Sequence, residues 1–114
     1  MSLLSELTGI VTELGLPVET GIFKSKAPDE YIVITPMTEE YALFCDDNPE
    51  MDIHEARISV YTKSNYKTIK NQLLTAFWEA DFTITQRRFV NFEPDTGYYH
   101  YTIDVEKTYN LTEV

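Results

Sequence analysis

The sequence predicts an α+β fold: a mainly antiparallel sheet with two helices packed on one face, in the order helix, three or four strands, helix, terminal β-hairpin. Two observations carry this. Apolar residues recur at steps of three and four in two separate stretches, and strand-like alternation fills the segments between and after them without the regular strand-helix alternation of a parallel sheet. The 114 residues suffice for one packed core and read as a single domain, 1–114.

The first helical stripe is Leu3, Leu4, Leu7, Ile10, Val11 and Leu14, with Ser2 placed to cap it. Gly15, free to take a left-handed conformation, and Pro17, unable to continue the ladder, end it. Val18 to Phe23 is expected as a short strand and Lys24 to Glu30 as a loop, on the Ala27-Pro28-Asp29 signal. Tyr31-Ile32-Val33-Ile34-Thr35 is rich in β-branched and aromatic residues and is predicted to end at Pro36. Its expected hairpin partner is Tyr41-Ala42-Leu43-Phe44-Cys45, followed by a polar connection, Asp46 to Glu50.

The next strand places Ala56, Ile58 and Val60 on one side and Glu55, Arg57, Ser59 and Tyr61 on the other, as in a sheet covered on one face only. Tyr66, Ile69, Leu73, Phe77 and Ala80 mark the second helix, for which Thr62 or Ser64 is the expected cap. Phe82–Thr85 and Phe89–Phe92 form one strand region whose alternation loses phase near Gln86-Arg87-Arg88, the signature of a bulge. After the turn signal Glu93-Pro94-Asp95-Thr96-Gly97, the residues Tyr99, Tyr101, Ile103 and Val105 alternate with Tyr98, His100, Thr102 and Asp104 in a long last strand.

Nineteen acidic against nine basic residues give a formal charge of -10, which opposes nonspecific association with phosphate backbones and anionic lipid. No sequence-specific nucleic-acid binding and no membrane contact are expected. The opening residues carry no basic region followed by an apolar one, so no targeting signal is read there. Cys45 is the only cysteine, so no intramolecular disulfide can form and a cytoplasmic setting fits. Asn110-Leu111-Thr112 matches the glycosylation sequon by accident of composition.

Catalytic and cofactor chemistry find little foothold in this sequence. Cys45 with His54 or His100 lacks a local feature that would lower the thiol's pKa, and no glycine-rich oxyanion turn accompanies it. The two histidines lack the close spacing of zinc motifs. Asp46, Asn48, Glu50 and Asp52 alternate like the start of a calcium loop, but Met51 stands where its glycine belongs and Arg57 at its twelfth position. Glycines 9, 15, 21 and 97 are scattered, without a phosphate cradle. No catalytic residue, metal ligand or cofactor is expected.

Several segments resemble small tail-completion proteins of long-tailed bacteriophages and prophages, the tail-terminator and head-to-tail joining group. They are Val18–Phe23, Pro28–Pro36, Glu55–Tyr61, Asn71–Leu73, Ala80–Arg88, Asp95–Tyr101 and Ile103–Val105. The resemblance implies a sheet with two helices on one face and a structural, non-enzymatic protein. It implies assembly as a homo-oligomer, often a six-fold ring, beside other tail or neck proteins, first in the host cytoplasm and then in the virion. In such a ring the strand edges and tyrosine-rich faces would supply contacts, with Tyr31, Tyr41, Arg87, Arg88 and Tyr98 as the expected interface residues. Acidic residues lining its channel would repel DNA in transit. Two other readings compete: a small acidic protein-binding accessory module, and an enzyme with a polar pocket around Cys45, His54 or His100.

Overall fold

The computed structural model describes residues 3–19, 28–45 and 48–110, with the side chains of 19, 41–50 and 110 outside the description. Helix α1 (Leu3–Glu13) buries Leu3, Leu7 and Val11, with Leu4, Ile10 and Leu14 partly buried against the same core. Gly15 closes it at φ +79°, donating its N–H to the Thr12 carbonyl at 2.9 Å. The Ser2 cap lies outside the described residues.

Strand β1 (Val18–Glu19) runs parallel to β2 (Glu30–Cys45), with Val18 opposite Ile32. The rest of the expected first strand and loop, 20–27, lies outside the described residues. β2 corrects the expected stop at Pro36, because the strand runs through it to Cys45. The Ile32 N–H points outward to the Pro17 carbonyl at 2.8 Å, and pleating turns the Pro36 nitrogen the same way, away from β3. A missing donor on that side breaks no bond to β3.

Tyr31–Thr35 and Tyr41–Cys45 therefore belong to one strand and are not partners. The partner of both is β3 (Asn48–Thr62), with Tyr31 opposite Tyr61 and Cys45 opposite Asn48. The expected connection from Asp46 to Glu50 contracts accordingly, since Asn48 to Glu50 are already strand; Asp46 and Asp47 lie outside the described residues. Between Pro36 and Glu39 the register slips by one residue, a bulge.

Helix α2 (Tyr66–Glu79) buries Ile69, Leu73 and Phe77. Its cap is Asn65, whose side-chain oxygen accepts the Lys67 N–H at 3.0 Å, and not Thr62 or Ser64. Those two hydroxyls are committed elsewhere: each donates to Glu30 Oε2 at 2.9 Å, tying the end of β3 to the start of β2. At the other end Asp81 takes φ +67°, with its N–H on the Trp78 carbonyl and the Phe82 N–H on that of Phe77, a Schellman closure.

β4 (Thr83–Glu93) and β5 (Tyr98–Asn110) form the terminal hairpin around Gly97, at φ +82°. The phase loss near Gln86–Arg88 resolves into two register shifts, one between Ile84 and Gln86 and one between Phe89 and Asn91. The five strands lie in the order β1-β2-β3-β5-β4, all neighbours antiparallel except β1 with β2. Both helices pack on the face carrying Ile32, Ile34, Ala56, Ile58, Val60, Ile103 and Val105.

Phe77 is the largest fully buried side chain among the described residues, and its ring meets Phe82 edge-on at 6.0 Å. Truncation to alanine removes most of a buried aromatic and leaves a cavity between α2 and the sheet. The expected cost of Phe77→Ala is about 3–5 kcal/mol, read as a lowered urea midpoint.

Candidate assembly surface

The face turned away from the helices is built in cross-strand rows, because antiparallel pairing sets each side chain beside its opposite number. One row is Tyr31, Tyr61, His100 and Asn91, taken across β2, β3, β5 and β4. Tyr31 stacks on Tyr61 with ring centroids 4.7 Å apart, and Tyr61 on His100 at 4.2 Å, the planes tilted by 12° and 16°. Tyr98 meets Tyr31 edge-on at 5.4 Å, while its hydroxyl donates to the Pro28 carbonyl at 2.6 Å and Lys63 Nζ lies 5.0 Å from its ring centre.

Two rows along, Arg57 grips Asp104 with Nε to Oδ1 at 2.9 Å and Nη2 to Oδ2 at 3.1 Å. These hydrogen bonds raise the Arg57 pKa further above its already high value. Between the ring row and this bridge, Ser59 and Thr102 form a trough, both buried because taller side chains stand on either side.

Burial pushes the Tyr31 hydroxyl up to about 12, with Tyr61, Tyr98 and Glu93 adding to the effect. Burial and then Glu93 raise Tyr61 as well. For His100 burial lowers the pKa, helped by Arg57 and Arg88 against the opposing Glu93, so the imidazole is held neutral. Its Nε2 is buried without a hydrogen-bond partner among the described residues. Flat ring faces and polar rims of this kind suit contact with another surface.

The second component is the outer edge of the sheet. β4 has β5 on one side and no described strand on the other. Its bulges turn Arg87 to the helix side, opposite Ile103, and Arg88 to the ring side, opposite Thr102. Neither arginine makes an ion pair among the described residues, although acidic side chains outnumber basic ones by two to one in this chain. Beside Arg87, a groove between α2 and β4 is walled by Leu74, Trp78, Phe82 and Ile84. Trp78 is 74% exposed, and Phe89 and Phe92 are each 44% exposed. Exposed tryptophan beside unpaired arginine is the composition of a protein-contact hot spot.

The structure thus separates the expected interface residues. Tyr31 and Arg88 share the ring face; Arg87 faces the helix side of the β4 edge; Tyr98 is buried and committed to Pro28. Tyr41 lies in β2 opposite Asp52, with its side chain outside the described residues. The sequence did not single out Trp78, and it placed Tyr61 on the outer face and His100 as a candidate base without bringing the two together as a stack. Trp78 had a signal, since it follows Phe77 and therefore points roughly 100° off the buried stripe. The candidate nucleophile and bases do not converge: His54 pairs with Lys107, His100 with Tyr61 on the other face, and Cys45 lies at the far end of β2. Asn48, Glu50 and Asp52 are in β3, so the calcium-like alternation forms no loop there. None of the described helices is long and apolar enough to cross a membrane. No protein-family model matches this chain, and no curated protein is significantly similar to it.

Tyrosines held neutral above their ordinary range stabilise the fold below pH 10 and lose that contribution as the pH climbs toward about 12. In an alkaline titration followed by tyrosinate absorbance, Tyr31 stays protonated when exposed tyrosines have ionised. The Tyr31→Phe variant should show a shallower loss of stability across that window.

Proposed function

We propose that this chain is a structural protein of long-tailed phage or prophage morphogenesis, acting at the tail end or head-tail junction and assembling with copies of itself into a ring. The observation that carries the reading is the β4 edge, which has no described strand beside it and where three exposed aromatic rings gather with two arginines that make no ion pair among the described residues, on a chain of charge -10. A long edge strand whose only acid is its terminal residue, Glu93, is a site for pairing with another chain.

The complementary surface is on β2, whose side chains from Thr35 to Glu40 are all exposed and whose last two, Glu39 and Glu40, are acidic. A contact between the β4 edge of one copy and the β2 edge of the next is head-to-tail, and such contacts generate rings when the rotation closes. The resemblance to tail-completion proteins supplies the biological setting, and acidic residues lining the channel of a chain of charge -10 would discourage DNA from adhering there. In this setting the protein works first in the host cytoplasm and then in the virion, beside other tail or neck proteins.

Light scattering on the purified protein should return a discrete multiple of 13.2 kDa, such as a hexamer. Arg87→Glu with Arg88→Glu, and separately Trp78→Ala, should shift assembly to at least tenfold higher protein concentration while far-UV circular dichroism is unchanged. A wild-type chain that stays monomeric at every concentration, or variants that assemble as the wild type does, would contradict the reading.

A further inference from the structure

Beyond the bulge in β2, three potential metal ligands from two strands meet on the helix side of the sheet. Asp52 and His54 are two apart on β3, so both point the same way, and Glu39 lies directly opposite His54 on β2. Their ligand atoms lie within 4.8 Å of one another. His54 Nε2 is 2.7 Å from Asp52 Oδ2, and Nδ1 is 3.9 Å from Glu39 Oε1.

The bulge creates this grouping. Pro36 pairs with Ala56, so an unbroken register would set Thr38 against His54; the extra residue substitutes Glu39. Bulges commonly re-aim a side chain in this manner next to functional sites.

Charge points the same way. Lys107 is the cation nearest in register, opposite His54 on β5, yet its ammonium donates to Glu6 Oε2 at 2.7 Å and to the Ala80 carbonyl at 3.1 Å. Asp52 and Glu39 have no lysine or arginine partner among the described residues. Two carboxylates therefore share one imidazole. The Asp52 and His54 side chains are only 17% and 20% exposed, and the Tyr109 ring lies 5.0 Å from the imidazole, which limits its movement. Glu39, at 73% exposed, is free to close from the open side. There the cluster borders a groove lined by Leu3, Leu4 and Pro36, leaving room for water as a further ligand.

We propose that Glu39, Asp52 and His54 form a binding site for a divalent transition-metal ion of the zinc class. One imidazole and two carboxylates are a donor set such an ion accepts, at roughly 2.0–2.2 Å per bond, with water completing a tetrahedron. The ion enters on the Nε2 side as the His54–Asp52 hydrogen bond opens, and the exposed Glu39, which in the empty site lies nearest Nδ1, swings round to meet it. All three ligands come from one chain, so the site forms in the monomer.

The chain has two histidines, which makes the test direct. Metal-stripped full-length protein is titrated with zinc chloride by calorimetry, and both imidazoles are followed by NMR. The expected result is one zinc per chain with micromolar affinity, resonances of His54 moving and those of His100 staying in place. His54→Gln should weaken binding at least tenfold and Glu39→Gln several-fold, with His100→Gln and Cys45→Ser binding as the wild type does. Absence of binding up to millimolar zinc, equal affinity in His54→Gln, loss of binding in Cys45→Ser, or preference for magnesium or calcium over zinc would overturn the proposal.

Discussion

The antiparallel pairing of β3 with β5 is the constraint on which the rest of the molecule depends. It runs without a break from Met51 opposite Asn110 to Thr62 opposite Tyr99, while both neighbouring ladders contain register shifts. A slip of one residue would carry either Ile58 and Val60 or Ile103 and Val105 from the core to the open face. Burial of those residues under α1 and α2 therefore locks the register, and the register in turn decides what the other face presents. Tyr61 beside His100 and Arg57 beside Asp104 are consequences of where Ile58 and Ile103 must go.

With the central pair fixed, irregularity is pushed to the flanks. β2 slips after Pro36, and β4 slips twice around Arg87 and Arg88. These places coincide with the two candidate sites, the His54 cluster and the arginine-bearing edge. The spine tolerates no extra residue because both of its faces are committed, whereas an outer strand can bulge at the loss of a bond or two.

Much of the fold was legible in the sequence because it rests on local periodicity. The two apolar stripes gave both helices, Gly15 and Gly97 gave the turns, and alternation in Ala56–Val60 and Tyr99–Val105 gave the buried faces. The misreadings concern pairing across the chain. Pro36 argues for a strand end only if its nitrogen faces a partner, and here pleating turns it away from β3. Thr62 and Ser64 are good caps in isolation, but Glu30 claims both hydroxyls from another strand. The candidate surfaces were less visible for the same reason. The Tyr31–Tyr61–His100 stack and the meeting of Glu39 with His54 exist only once register is set, whereas Trp78 was readable from its place off the helical stripe.

Ring assembly of this kind requires that the β4 edge, which has no described strand beside it, be taken up by a second copy of the chain. Amide hydrogen exchange across Thr83–Glu93, compared between dilute monomer and assembled protein, addresses this most directly. The account predicts that outward-facing amides of β4 exchange rapidly in the monomer and become strongly protected on assembly, while β3 and β5 are protected in both states. An assembly in which β4 exchanges as fast as in the monomer would contradict it.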